Sequence, residues 1–185
     1  MLEPNEEYHD LATLVRSKAQ KNGSRVALGF PGRKLTYLEL DTLSERVAAG
    51  LAAEGIGRGD RVAAFLVNRP EFPLLWFGLA KLGGVLVPLN TALKGDLLAY
   101  ELADAQVRGM VTERGLWETF SQVRNRVSVP HVWMVDDPSG SMRVPEDTAP
   151  WSSLQDAPGT RTSYVPQPAD PASILYTSGT TGPPK

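Results

Sequence analysis

Apolar positions along the chain follow first a helical period, then alternating helix and strand periods. In residues 8–20, Leu11, Leu14, Val15 and Ala19 recur at helical spacing and predict an amphipathic helix. Residues 26–30 and 34–37 predict two strands around the turn Pro31-Gly32-Arg33. Thr36, with Glu39 three residues later, makes a capping box that satisfies orphan amides at a helix start. The helix it opens presents Leu40, Leu43, Val47 and Leu51 on one face and stops near Gly55.

From residue 61 the pattern becomes strand, helix, strand. Residues 61–67 are rich in small and branched apolar side chains. Pro70 stands where a first helical turn tolerates it, and a helix runs over 71–82. Gly83-Gly84 ends that helix, and 85–89 returns as a strand. Such a βαβ unit requires parallel pairing through a right-handed crossover. The alternation continues with a helix over 95–105 (Leu98 and Leu102 inward) and a strand over 109–112. A helix over 116–124 follows, with Trp117, Phe120 and Val123 on one side, then a strand over 131–136. Apolar strands alternating with helices predict the α/β class: a mostly parallel sheet flanked by helices on both faces. Prolines from Pro138 to Pro171 then interrupt the chain, so 137–171 reads as a loop or linker with one turn of helix at 151–154. It delivers the apolar run Ala172-Ser173-Ile174-Leu175-Tyr176, which reads as a short buried strand.

The chemistry concentrates after that run, in Thr177-Ser178-Gly179-Thr180-Thr181-Gly182-Pro183-Pro184-Lys185. Each residue type has a use against a polyphosphate. Gly179 and Gly182 let the backbone approach a ligand closely, and successive amides in such a turn form a concave anion site. Thr177, Ser178, Thr180 and Thr181 supply O–H donors. Lys185 adds a compact positive charge, and Pro183 and Pro184 stiffen the approach to it. The string departs from the Gly-x-x-x-x-Gly-Lys-Ser/Thr phosphate loop, because its glycines lie closer together. Residue types alone leave a polar surface turn and a phosphate cradle both open.

Composition narrows the classes. A net charge of −2 over 185 residues gives no electrostatic case for nucleic acid or an anionic membrane. There is no cysteine, hence no disulfide framework and no thiolate chemistry, which fits a cytoplasmic location. The most apolar window, 74–89, is too short and too broken by Lys81, Gly83-Gly84 and Pro88 to span a bilayer. Gly55-Ile56-Gly57-Arg58-Gly59-Asp60 follows a helix and opens a strand, the reverse of a dinucleotide fingerprint, and reads as a tight connection. Asp136 and Asp137 read as a turn at a strand end rather than a metal pair. His9 and His131 have no acid or thiol at useful spacing, and Trp76 and Phe77 read as a helix packing face. Nothing matches a hydrolytic triad or a zinc site.

The terminal string resembles the signature phosphate loop of the adenylate-forming (AMP-binding) superfamily, which includes acyl-CoA synthetases, peptide synthetase adenylation domains and luciferases. Two further stretches agree in order. Leu35-Thr36-Tyr37-Leu38-Glu39-Leu40 is similar to the family's first core motif, and the stretch from Leu79 to Asn90 to its second. The first is equally explained as a well-made helix start.

The resemblance implies the first part of the family's large N-terminal domain, with 172–185 as strand and phosphate loop. It implies ATP, Mg²⁺ and coenzyme A as participants and a small carboxylic acid as substrate, converted to an acyl-adenylate and then passed to a thiol. It places only the phosphate-loop role here, on Thr177, Ser178, Gly179, Thr180, Thr181, Gly182 and Lys185. The adenine contacts, metal-binding acid and mobile C-terminal domain with its catalytic lysine come later in family members, so no catalytic residue and no metal ligand is expected in this chain. The expectation is an N-terminal fragment of a carboxylate–CoA ligase, inactive alone. The alternatives are a stand-alone binding or regulatory module and a fragment of a peptide synthetase domain. The run Leu89-Asn90-Thr91-Ala92-Leu93-Lys94-Gly95-Asp96 looks more like ligases for aliphatic or carnitine-type acids than like peptide synthetase domains.

Overall fold

The computed structural model describes residues 10–135, 145–158 and 164–177. The first helix, α1 (Leu11–Asn22), is capped by Asp10, whose carboxylate accepts from the Thr13 amide at 2.7 Å. An antiparallel hairpin of β1 (Val26–Phe30) and β2 (Arg33–Thr36) leads into α2 (Tyr37–Ala53). The capping box forms as expected. Thr36 Oγ1 accepts from the Glu39 amide at 3.2 Å, and Glu39 Oε2 accepts from the Thr36 amide at 2.8 Å.

Then come β3 (Arg61–Phe65), α3 (Glu71–Leu82), β4 (Val85–Pro88), α4 (Gly95–Asp104), β5 (Gly109–Glu113) and α5 (Arg114–Ser121). A 3₁₀ turn at Arg124–Arg126, β6 (His131–Val135), β7 (Ala149–Pro150) and α6 (Ser152–Gln155) complete the described elements. The second sheet has five strands in the order β4-β3-β5-β6-β7, and every pairing is parallel. Strand residues alternate between two cores. Val62, Ala64 and Leu66 join Val15, Val47, Leu79 and Leu154 from α1, α2, α3 and α6, whereas Ala63 and Phe65 join Leu98 and Leu102 from α4 and Phe120 from α5. Both faces are dry, which is why these strands read as continuous apolar runs rather than as an apolar–polar alternation.

The turn of helix expected at 151–154 forms as α6, and the residues around it are built into the core. Trp151 and Leu154 are buried in the larger cluster, and β7 pairs with β6 through Trp133↔Ala149. Space for α6 comes from Gly50. A Cβ there would meet the Leu154 Cα and carbonyl oxygen at 2.6 Å. Gly50→Ala therefore sets two effects against each other. Alanine favours a helix interior by about 1 kcal/mol, but overpacking against backbone costs about 1–3 kcal/mol or more. Backbone cannot swing aside as a side chain would, so the clash wins. We expect a net loss of about 2 kcal/mol, read as a lower urea midpoint; an unchanged or raised midpoint would contradict the packing.

The connection Gly55–Asp60 is a tight turn, with Asp60 Oδ2 accepting from the Gly57 amide at 2.8 Å. Trp76 and Phe77 pack against the core, and His131 stacks on Trp133 with centroids 5.6 Å apart; the expectation that His131 has no acid near it is corrected, because the fold brings Glu54 Oε2 to 3.7 Å from its Nδ1. His9, Asp136 and Asp137 lie outside the described residues.

Candidate functional site

The run that feeds the terminal string lies along the outer edge of β4. The Leu86 amide donates to the Ala172 carbonyl at 3.2 Å, and the Ile174 amide donates to the Leu86 carbonyl at 2.9 Å. This makes one parallel bridge, Leu86↔Ser173. The expected short buried strand over 172–176 is thereby corrected: a single bridge forms, and Leu175 is 66% exposed. The cause is a missing neighbour. Among the described residues only β4 flanks this segment, so only alternate side chains, Ile174 and Tyr176, turn inward onto the α4-side core.

Tyr176 Oη donates to Asp104 Oδ2 at 2.6 Å. Burial, reinforced by this bond, pushes the phenol well above the ordinary tyrosine range, so it stays a donor throughout the physiological pH range. Glu101, one turn earlier on α4, is buried, and desolvation pushes its carboxyl up. Thr177 is exposed. Ser178, Gly179, Thr180, Thr181, Gly182 and Lys185 lie outside the described residues.

Two other places compete for attention. Open α/β sheets bind ligands outside the carboxyl ends of strands where the chain reverses direction across the sheet. Here that point lies between β3 and β5, and Arg69 bridges it. Its Nε donates to Glu71 Oε2 and its Nη1 to Glu113 Oε2, both at 2.8 Å. Burial opposes the guanidinium charge, yet these two carboxylates outweigh it and raise the arginine's pKa. A closed triad of this kind fixes the β3–α3 turn and presents no unpaired group to a ligand.

The second place is a cavity of about 330 Å³ at the amino end of β4, walled by Leu11, Leu14, Ala80, Pro166, Pro168 and Pro171. Its two acids are already engaged. Asp10 caps α1, while Asp170 accepts from the Tyr164 hydroxyl, the Gln167 amide at 2.7 Å and Arg58 Nη2 at 3.0 Å. Those donors, Tyr164 foremost, hold the Asp170 carboxyl below the usual carboxylate range. The Tyr164 ring lies where a Cβ on Gly83 would sit, 2.5 Å from its Cε1, and Gly83 has φ +69°. The cavity therefore follows from how the proline-rich strap clasps the α3–β4 turn, and both of its carboxylates are already held by donors of the protein itself. The segment along β4 leads away from this cavity.

A parallel sheet covered by helices on both faces, with a hydroxyl- and glycine-rich string following a segment laid against its edge, is the architecture of an adenylate-forming N-terminal domain. The chain belongs to the AMP-binding enzyme family, whose model matches residues 15–185. It is similar to the crotonobetaine/carnitine–CoA ligase of Salmonella agona (strain SL483), with 34% identity over 172 residues, 88% of this chain and 33% of the relative. The corresponding ligase of Salmonella paratyphi A (strain ATCC 9150 / SARB42) gives 34% over 176 residues, 90% of this chain and 34% of the relative. The chain thus spans about one third of the length of these curated relatives. Among solved structures it resembles Mycobacterium smegmatis MbtA, with a TM-score of 0.80 and 32% identity, over 95% of this chain and 32% of that one. The anthranilate CoA ligase AuaEII, in complex with anthranoyl-AMP, superposes with a TM-score of 0.87 over 96% of this chain and 34% of that one. Its 22% identity speaks to the fold alone.

Sequence reasoning missed the Tyr176–Asp104 bond and the clasp of Tyr164, Asp170 and Arg58. One signal was present for the first. Asp104 ends α4, where a carboxylate opposes the helix dipole, and no basic residue occupies that last turn.

Proposed function

We propose that this chain is the triphosphate-gripping part of an ATP-dependent carboxylate–CoA ligase. A carboxylic acid with a pKa of about 4.3 is already ionised at neutral pH, so its attack on the α-phosphate needs little proton transfer. The barrier is the approach of an anion to a polyanion. Catalysis then rests on positioning and on spreading phosphate charge over fixed donors and cations. In this reading the amides around Gly179 and Gly182, the hydroxyls of Thr177, Ser178, Thr180 and Thr181, and Lys185 hold the β- and γ-phosphates. One observation carries it: a string of this make-up follows directly on a segment hydrogen-bonded to the β4 edge of a parallel sheet.

Mg²⁺ would neutralise further phosphate charge in the complete reaction. Among the described residues no group of three or more His, Cys, Asp or Glu could hold a metal ion. The names of the Salmonella relatives favour an aliphatic or betaine-like acid, with coenzyme A as the acceptor. No helix among the described residues is long and apolar enough to cross a membrane.

The test is acid-dependent exchange of pyrophosphate into ATP. The 185-residue chain alone is expected to give no exchange above background. A form extended to the relatives' full length is expected to exchange with short aliphatic or betaine acids. Exchange by the 185-residue chain would contradict the assignment of catalytic groups elsewhere. Silence from the extended form across a broad panel of acids would contradict the ligase reading.

A further inference from the structure

The last described residues are held in three ways. Main-chain bonds tie Ala172 and Ile174 to Leu86. The side chains of Ile174 and Tyr176 pack on the core beneath α4. Beyond the Ile174 amide, the final hydrogen bond among the described residues is that of the Tyr176 hydroxyl to Asp104, across 72 positions of sequence. Leu175, between the two inward side chains, faces outward.

Asp104 is badly placed for its own helix. It ends α4, where the dipole favours cations and disfavours acids. Glu101 lies three residues before it, so the two carboxylates are neighbours on one helix face, an arrangement of like charges that is unfavourable. Helix stability therefore gives no reason for an acid at 104. Its evident use is to accept a hydrogen bond from the Tyr176 hydroxyl at 2.6 Å.

We propose that Tyr176 and Asp104 are a positioning pair that fixes the direction in which the chain leaves β4 for the phosphate-binding string, so that polyphosphate affinity depends on their hydrogen bond. The inference rests on the reading of Thr177–Lys185 as a phosphate clamp. An amide cradle binds an anion well only when its donors are already aimed. Thr177 follows Tyr176 directly, so freeing the phenol frees the first hydroxyl donor of the string. The pair touches no reacting atom.

The test is a double-mutant cycle on the full 185-residue chain with Tyr176→Phe, Asp104→Ala and the pair together. The readouts are the dissociation constant for inorganic tripolyphosphate by calorimetry, the thermal midpoint, and amide exchange. Each single variant is expected to weaken tripolyphosphate binding about fivefold, and the double variant no further, because one bond is lost in all three. Amide exchange is expected to quicken at residues 174–177 and to stay unchanged at Ala63 and Met110. Asp104→Ala should hold or raise the thermal midpoint, since it removes the adverse charge from the end of α4. A merely structural role would move the other way, lowering the midpoint and leaving affinity alone. Wild-type affinity in both single variants, or additive losses in the double, would overturn the proposal. If the unsubstituted chain binds no tripolyphosphate, the clamp reading falls. The exchange data then decide the anchor separately: local quickening at 174–177 supports it, and none overturns it.

Discussion

Lys185→Ala, made in a form of the protein that exchanges pyrophosphate into ATP, is expected to lower kcat/KM for ATP about 100-fold while leaving the thermal midpoint in place. Removing one preorganised donor from a site of developing charge commonly costs about 10²–10³ in rate, and an ammonium facing phosphate is the strongest single donor in this string. Thr181→Ala removes one neutral hydroxyl and is expected to cost about tenfold, in keeping with the smaller worth of a neutral donor. The order of the two effects matters as much as their size. Lysine loss exceeding threonine loss is what a polyanion clamp requires. Two variants with wild-type ATP kinetics would remove the clamp from the account.

The second large effect lies in the core. Lys81 on α3 is fully buried, with Nζ 2.6 Å from Asp41 Oδ1, 2.6 Å from the Asp41 carbonyl and 3.1 Å from Glu45 Oε2. Arg16 on α1 reaches the same Glu45 at 3.4 Å, so the network joins three helices. Removing one partner of a buried ion pair costs about 3–5 kcal/mol, because a charge is left in a poor solvent. Asp41 is itself partly exposed and Glu45 remains, so Asp41→Ala is expected to cost about 2 kcal/mol, at the lower side of that range. Lys81→Met removes the buried charge and keeps the volume; the acids it leaves, Asp41 and Glu45, both reach water, so it is expected to cost about 1 kcal/mol, less than Asp41→Ala. Urea unfolding of both variants checks the pair. Equal losses would show that the ion network itself, rather than the avoidance of an orphan charge, holds the helices together.

These cases show which features local sequence carries. The capping box at Thr36 and Glu39, the apolar faces of α2 and α3, and the strand–helix alternation through β6 depend on residues close in the chain, and all were readable. Lys81 was not. In the sequence Lys81 only interrupts an apolar window, and its partner Asp41 lies 40 positions away, a pairing that local pattern does not carry. The need for glycine at position 50 likewise comes from the backbone of α6, a distant segment packed against it. The apolar composition of 172–176 predicts a buried strand, but burial needs a neighbour on each side, and sequence does not report neighbours. At the candidate site, residue types named the string from Thr177 to Lys185. The anchoring of its foot by Asp104 could be suspected only from an acid set against a helix dipole.

The most direct measurement is a crystal structure of the protein with a non-hydrolysable ATP analogue. The account predicts the β- and γ-phosphates within hydrogen-bond reach, about 3 Å, of the amides and hydroxyls from Thr177 to Thr181 and of the Lys185 ammonium. A triphosphate bound elsewhere, with this string turned to open solvent, would contradict it.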